Sequence, residues 1–267
     1  MLLSYEILGN GTESLLVFHG IGQTGKACFS AFERELGSRF KIYAFDLPFH
    51  GSSASLFRAG RWNSGDEPVS PGEWKEFIDV FLRKNGISRF SVAGFSLGGR
   101  FALATLDLFF DRIEKAWLIA PDGLVDQPLY RLATGSRMMR GIFFLVMKRR
   151  KTLQSIAGIL KDRGLIHASL LRILNRLTAS DEHAMLVFRS WVNFRKLGAP
   201  REFFRRDASC FKNKVFLFLG KYDRLVKERG VRPLLRKLDR SQVIWLNSGH
   251  TTSVDAAAAE VRRIEQI

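Results

Sequence analysis

Gly94-Phe95-Ser96-Leu97-Gly98 sets a hydroxyl between small residues, after the apolar run Phe90 to Ala93 and ahead of the helical pattern Arg100 to Phe109. A strand that turns sharply into a helix holds its central serine strained and exposed, and flanking small residues permit the tight approach. The N–H of Leu97, at the start of the helix, would then face an oxyanion formed on a carbonyl. The same letters also fit an ordinary glycine-rich connection, so the reading depends on what accompanies them.

A serine nucleophile needs a base, and the chain has five histidines: His19, His50, His167, His183 and His250. His250, in Asn247-Ser248-Gly249-His250, follows the last strand candidate and falls on a loop at the carboxyl edge, where open α/β sheets bind ligands. His167 and His183 sit in helical patterns and read as surface or packing residues. An orienting carboxylate would hold the imidazole in the tautomer that accepts the serine proton. Asp223, in Gly220-Lys221-Tyr222-Asp223-Arg224, follows the strand candidate Val215 to Leu219 and is favoured; Asp122, in Ala120-Pro121-Asp122-Gly123, is the second candidate.

The elements that must position these residues follow from periodicity. Apolar runs of strand length alternate with longer helical patterns, which indicates parallel strands joined by helical crossovers. Ser4 to Leu8 and Ser14 to Phe18 flank Gly9-Asn10-Gly11 and suggest an antiparallel hairpin leading into the sheet. Lys41 to Phe45, Phe90 to Ala93, Ala116 to Ala120, Val215 to Leu219 and Gln242 to Leu246 supply the other strands, most of them continuously apolar as in strands covered on both faces. The fold expected is α/β, a mostly parallel doubly wound sheet with an N-terminal antiparallel hairpin. About ninety residues between Ala120 and Val215 show only helical patterns, far more than a crossover needs. These are Leu129 to Met147, Thr152 to Lys161, Leu165 to Leu177, Glu182 to Leu197 and a short Arg201 to Arg206. An all-helical insertion over 124–214 is expected, within a core of 1–123 and 215–267.

Composition narrows the classes. The 267 residues are 46% hydrophobic with 42 Lys+Arg against 26 Asp+Glu, a net of +16. That is enough apolar material for a well-buried core, and it excludes disorder. Leu124 to Lys214 holds 19 Lys+Arg and 6 Asp+Glu, a net of +13, so the basicity belongs to the insertion. The longest apolar run, Gly141 to Met147, is far short of the roughly 20 residues of a membrane span. The start of the chain lacks the basic and apolar regions of a secretory signal, giving a cytoplasmic expectation with peripheral membrane attachment left open. Cys28 and Cys210 stand far apart and read as free thiols.

A rival motif occupies the first strand-to-helix connection. Gly20-Ile21-Gly22-Gln23-Thr24-Gly25 satisfies G-x-G-x-x-G, with Asp46 about 20 residues on, as in a dinucleotide fingerprint. With Lys26 it almost spells a P-loop, but Ala27 lacks the hydroxyl that would hold Mg²⁺. A nucleotide reading leaves Ser96, Asp223 and His250 unexplained and is the weaker alternative.

Taken together, His19-Gly20-Ile21-Gly22, Asp46-Leu47-Pro48-Phe49-His50-Gly51-Ser52, Gly94 to Gly99, Gly220 to Asp223 and Ser248-Gly249-His250 resemble the α/β-hydrolase fold family, in the right order and each at a strand end. The chain order Ser, Asp, His is that family's. Phe49 departs from it, standing where glycine is usual. The resemblance implies Ser96 as nucleophile, His250 as general base and acid, Asp223 as orienting acid, the N–H groups of Ile21 and Leu97 as oxyanion hole, and the insertion as a helical cap. Substrate contacts are expected from His19, Gly20 and Phe95, and from Phe143, Phe144 and Trp191 among the apolar residues of the insertion. The expected reaction is hydrolysis of an ester or thioester of an apolar acyl group through an acyl-enzyme, with no cofactor or metal. A Ser at the elbow argues against epoxide hydrolases and haloalkane dehalogenases, which use Asp. Carbon–carbon bond hydrolysis and non-catalytic ligand binding are the alternatives. The basic insertion suits an anionic membrane surface or an anionic substrate; no nucleic-acid module accompanies the charge, so nucleic acid is not an expected partner.

Overall fold

The structure, a computed structural model, describes residues 3–57 and 66–267, with side chains at 55–57 excepted. Seven strands form one sheet: β1 (Tyr5–Leu8), β2 (Glu13–Phe18), β3 (Phe40–Phe45), β4 (Phe90–Phe95), β5 (Ile113–Ile119), β6 (Val215–Gly220) and β7 (Val243–Leu246). Their order is β1-β3-β2-β4-β5-β6-β7, parallel throughout except where β1 runs antiparallel to β3.

The antiparallel strand exists, but the expected hairpin does not. β1 pairs with β3, not β2, in the register Tyr5↔Phe45 to Leu8↔Ile42, while β2 lies on the other side of β3. The turn itself explains this. Asn10 and Gly11 both donate to the Gly37 carbonyl, at 2.8 and 3.1 Å, carrying the chain across the start of β3. Gly9 has φ +72, and a side chain there would strike the Gly37 backbone at 2.6 Å. The glycines thus serve a close backbone crossing instead of a two-residue reversal.

Helices cover both faces. Alternation along the strands sends Leu15, Val17, Ile42 and Ala44 to one side, against α1 (Gly25–Leu36) and α10 (Ser253–Glu265). It sends Leu16, Phe18, Tyr43 and Phe45 to the other, against α2 (Pro71–Lys84), α3 (Gly98–Leu108) and α9 (Glu228–Leu235). Side chains two apart share a sheet face, so continuous apolar strands fill two cores at once. Trp74 on α2 is fully buried and donates its indole N–H to Thr105 Oγ1 at 2.9 Å.

Between β5 and β6 run α4 (Pro128–Gly135), α5 (Arg137–Lys148), α6 (Arg150–Asp162), α7 (Ala168–Leu177) and α8 (Asp181–Asn193). The single helical pattern expected over Leu129 to Met147 is two helices. Ser136 leaves the helical region (φ −115, ψ 160) and its hydroxyl accepts the Met139 N–H, capping α5. A serine whose side chain satisfies a helix-start amide favours a new helix over continuation of the old one. Met147, Ala184, Val187, Phe188 and Val192 make a small core of their own, onto which Ile21 of the β2–α1 connection packs. No helix among the described residues is long and apolar enough to cross a membrane.

Candidate active site

Ser96 stands between the end of β4 and the start of α3 with φ +51, a region costly for a residue with a Cβ. The elbow is clamped from both sides. A Cβ on Gly98 would lie 1.9 Å from the Phe18 carbonyl oxygen, and one on Gly94 would lie 2.6 Å from the Ala102 methyl. Only glycine lets α3 approach β2 and β4 closely enough to hold the turn, and the serine is left partly exposed at its apex.

His250 Nε2 lies 2.9 Å from Ser96 Oγ, and His250 Nδ1 lies 2.7 Å from Asp223 Oδ2. The three residues sit on loops after β4, β6 and β7, all at the carboxyl edge. The other oxygen of Asp223 accepts the N–H groups of Leu225 and Val226 at 2.8 and 3.1 Å. Burial pushes the Asp223 carboxyl up, but the bonds from His250, Val226 and Leu225 outweigh it and hold it below the ordinary carboxylate range. An ionised Asp223 requires Nδ1 to carry the proton, leaving Nε2 free to accept the serine proton.

Two other carboxylates are committed elsewhere. Asp122, the second candidate, pairs with Arg100 at 2.7 Å, and its own N–H is given to the Ser96 carbonyl at 2.9 Å. Asp46 accepts the N–H groups of Gly25 and Ser52 at 2.9 and 2.8 Å. Those commitments weigh against the dinucleotide reading, because at the start of α1 the Gly25 N–H is already taken by Asp46 and the Ala27 N–H by the Thr24 hydroxyl. Lys26 pairs with Glu6 on the surface.

Among the described residues, no acceptor within the fold takes the N–H of Ile21 or of Leu97, although neighbouring amides at Gln23 and Gly99 are bonded to Gly20 and Ser96 carbonyls. An amide with no acceptor in the fold is a donor available to an oxyanion, and that of Leu97 directly follows Ser96 in the chain.

The expected substrate contacts divide. His19 is fully buried, its Nε2 accepting the Leu47 N–H at 2.9 Å and its Nδ1 bonded to the Gly20 carbonyl at 2.7 Å. Both ring nitrogens are occupied, so His19 braces the loop and has none left for a substrate. Phe95 is likewise buried, with its ring 5.0 Å from that of His250; it backs the imidazole. Gly20 lies against the Phe95 ring, where a Cβ would come within 2.9 Å. Phe143 packs on Phe188 and Trp191 at 5.4 Å each, in the cluster that meets Ile21. Phe144 touches Phe188 at 5.4 Å and is 38% exposed, at the rim of that cluster.

Sequence reasoning noted one support only as a departure from the motif and missed another. Phe49 adopts φ +71 and stacks on Phe194, filling with a strained aromatic the position where the related motif has glycine. Arg100, almost fully buried, pairs with Asp122 and Asp126, donates to the Leu197 carbonyl at 3.1 Å and lies 4.2 Å from the Tyr130 ring centre. It ties α3 to the chain just before α4 and just after α8. The only available signal was a cation in the first turn of a helix, where the dipole disfavours it.

A cavity of about 290 Å³ opens beside His250 between the β7–α10 loop, the β6–α9 loop and α7, and Arg172, Arg176 and Arg224 line it. Cys28 is buried, its thiol pushed up to about 12 by burial, while Cys210 is exposed; both are free, as the spacing suggested.

A family model described as alpha/beta hydrolase fold matches residues 13–257, and the chain belongs to that family. Over 125 residues it is 30% identical to the dihydrolipoyllysine-residue acetyltransferase component of the acetoin cleaving system of Pseudomonas putida. That match covers 46% of this chain and 31% of the relative, so the chain spans only about a third of the curated relative it matches. Among solved structures it resembles a thermophilic esterase of Thermogutta terrifontis (TM-score 0.67, 14% identity, 99% of this chain and 91% of that one). It also resembles a meta-cleavage product hydrolase of Pseudomonas fluorescens IP01 (TM-score 0.63, 17% identity, 98% and 92%).

Proposed function

We propose that the protein is a serine hydrolase that cleaves an ester or thioester of an apolar acyl group. The observation carrying this reading is the unbroken line of hydrogen bonds from Asp223 through His250 to Ser96; the amides of Ile21 and Leu97, which no acceptor in the fold takes, are the donors assigned to the oxyanion. Ser96 Oγ attacks the carbonyl carbon while His250 Nε2 takes its proton. The tetrahedral oxyanion receives the two backbone N–H groups. His250 returns the proton to the leaving oxygen or sulfur as its bond to carbon breaks. Water, deprotonated by the same imidazole, then frees the acid from the acyl-enzyme and restores the serine.

In this reading residues 124–214 form a cap over the core of 1–123 and 215–267. Its inner apolar cluster, with Phe143, Phe188 and Trp191 next to Ile21, supplies the surface for the acyl group. The test is a chromogenic ester with parent and Ser96→Ala: hydrolysis by the variant is expected to fall by on the order of 10⁴ or more. Equal rates overturn the assignment.

One observation favours a second reading. The three arginines lining the cavity beside His250 suit a substrate with a carboxylate, and the same three catalytic groups can cleave a carbon–carbon bond next to a ketone. Parallel assays on neutral esters and on carboxylate-bearing diketones separate the two: turnover confined to the diketones selects the second.

A further inference from the structure

Ten of the fifteen exposed large apolar residues recorded among the described residues lie within residues 129–165. α5 carries six consecutive apolar residues, Ile142 to Met147, of which only Met147 is buried. Its inner side, through Phe143 and Met147, joins the cluster that meets Ile21. Its outer side is also apolar: Met138, Ile142 and Leu145, spaced four and three apart, form one stripe, and Met138 is 71% exposed. On α6, which follows directly through Arg149, Ile156 and Ile159 repeat the pattern and are each 51% exposed. A helix that is apolar on its solvent side as well as its core side lacks a partner.

The charge around the stripe identifies the partner. Residues 129–165 hold nine Lys and Arg and a single acidic residue, Asp162. Arg150 pairs with Asp181, Arg140 with Asp66 and Lys161 with Asp162, but Lys148, Arg149 and Lys151, at the joint of the two helices, are exposed and have no ion pair among the described residues. A second copy of this face would bring like charges together. A nucleic-acid backbone would satisfy the cations and leave the isoleucines and leucines wet. Apolar side chains flanked by unpaired cations match the interface of an anionic bilayer, where the stripe enters the acyl boundary and the cations remain among the headgroups. At 12 and 13 residues the helices are about 20 Å long, too short to span, so they would lie flat.

We propose that the outer face of α5 and α6 docks on an anionic lipid surface, which sets the opposite side of α5, and the site beneath it, next to the membrane. The docking stands independently of the hydrolysis proposed above.

The experiment is co-sedimentation of the full chain with vesicles of phosphatidylcholine alone or mixed with phosphatidylglycerol, at low and high salt. Binding is expected to the mixed vesicles only, and to weaken with salt. Ile142→Gln with Leu145→Gln, and separately Lys148→Glu with Lys151→Glu, should each weaken binding by on the order of tenfold or more. Circular dichroism checks that both remain folded. A measurement without core changes places an environment-sensitive fluorophore on Leu145→Cys in a Cys210→Ser background, where a blue shift on mixed vesicles is expected. Absence of vesicle binding, equal binding to both vesicle types, undiminished binding by folded variants or an unshifted fluorophore each overturn the proposal. So does a concentration-dependent dimer abolished by the Gln substitutions, which would assign the face to a second copy.

Discussion

His250 Nε2 stands 2.9 Å from Ser96 Oγ although 154 positions separate the two residues along the chain. The helices between β5 and β6 account for most of that separation, yet the contact is made by loops rooted in strands on the same sheet edge. β5 and β6, which flank those helices in sequence, are adjacent in the sheet, paired in the register Ala116↔Val215 to Ile119↔Phe218.

Asp223→Asn should preserve the fold, because the amide oxygen can still accept from Leu225 and Val226. Its nitrogen would donate to His250 Nδ1 and move the ring proton to Nε2, facing the serine. Ester hydrolysis is expected to fall by on the order of 10⁴ with a near-parental melting temperature. A variant with full kcat would show that the carboxylate does not set the tautomer.

Arg100→Met is expected to destabilise the protein by about 1 to 3 kcal/mol, because the Leu197 carbonyl loses its donor and Asp122 and Asp126, each about a third exposed, lose their shared cation to partial solvation. Urea unfolding measures this. An unchanged midpoint would mean that relaxation and water replace the guanidinium without cost.

Gly98→Ala should cost ~3 kcal/mol or more, since the added methyl meets the backbone of β2 at 1.9 Å and cannot be relieved by a side-chain rotation. Gly158→Ala, in α6 with open space around it, should instead raise stability by about 1 kcal/mol through helix propensity. Thermal melts of the pair decide whether close approach or flexibility is the reason for each glycine.

Stability should fall in mild acid. Burial lowers His19 to about 4 and His50 to about 3, repulsion between the two rings when protonated adding to the second, so both are neutral in the fold near pH 7. The unfolded chain protonates both below about pH 6.5, binding more protons than the folded one between there and about pH 4. Stability therefore declines as pH drops through that window, by on the order of 3 to 4 kcal/mol for the two by about pH 5. The contribution of Asp223, lowered in the fold, is present above its ordinary value of 3.8 and disappears as pH falls through its folded one. Urea midpoints at about pH 7 and pH 5 test this, and a flat profile would contradict the neutral buried pair.

Much of the candidate site was legible because its residues carry local signatures. Ser96 is bracketed by glycines that any strand-to-helix elbow needs, and Asp223 and His250 each follow an apolar strand by a few residues. His19 and Phe95 were misjudged because adjacency to a motif does not reveal which way a ring points. Burial and two occupied nitrogens turned the first into a brace, and packing on the imidazole turned the second into a support. The hairpin was misread for the same reason, since Gly9-Asn10-Gly11 has a turn's composition but its conformation is dictated by the Gly37 backbone beneath it.

By itself, the order of residues determined the alternation of strands and helices, the elbow at Ser96, and the concentration of basic charge between β5 and β6, because these depend on spacing within a single element. Only the tertiary structure decided that Asp223 and not Asp122 reaches His250, that β1 joins β3, and that the apolar stripe of α5 is left facing solvent. Each of those outcomes is a competition between residues distant in the chain, for one hydrogen bond, one strand edge or one buried surface, and only the packed geometry settles which competitor is near enough.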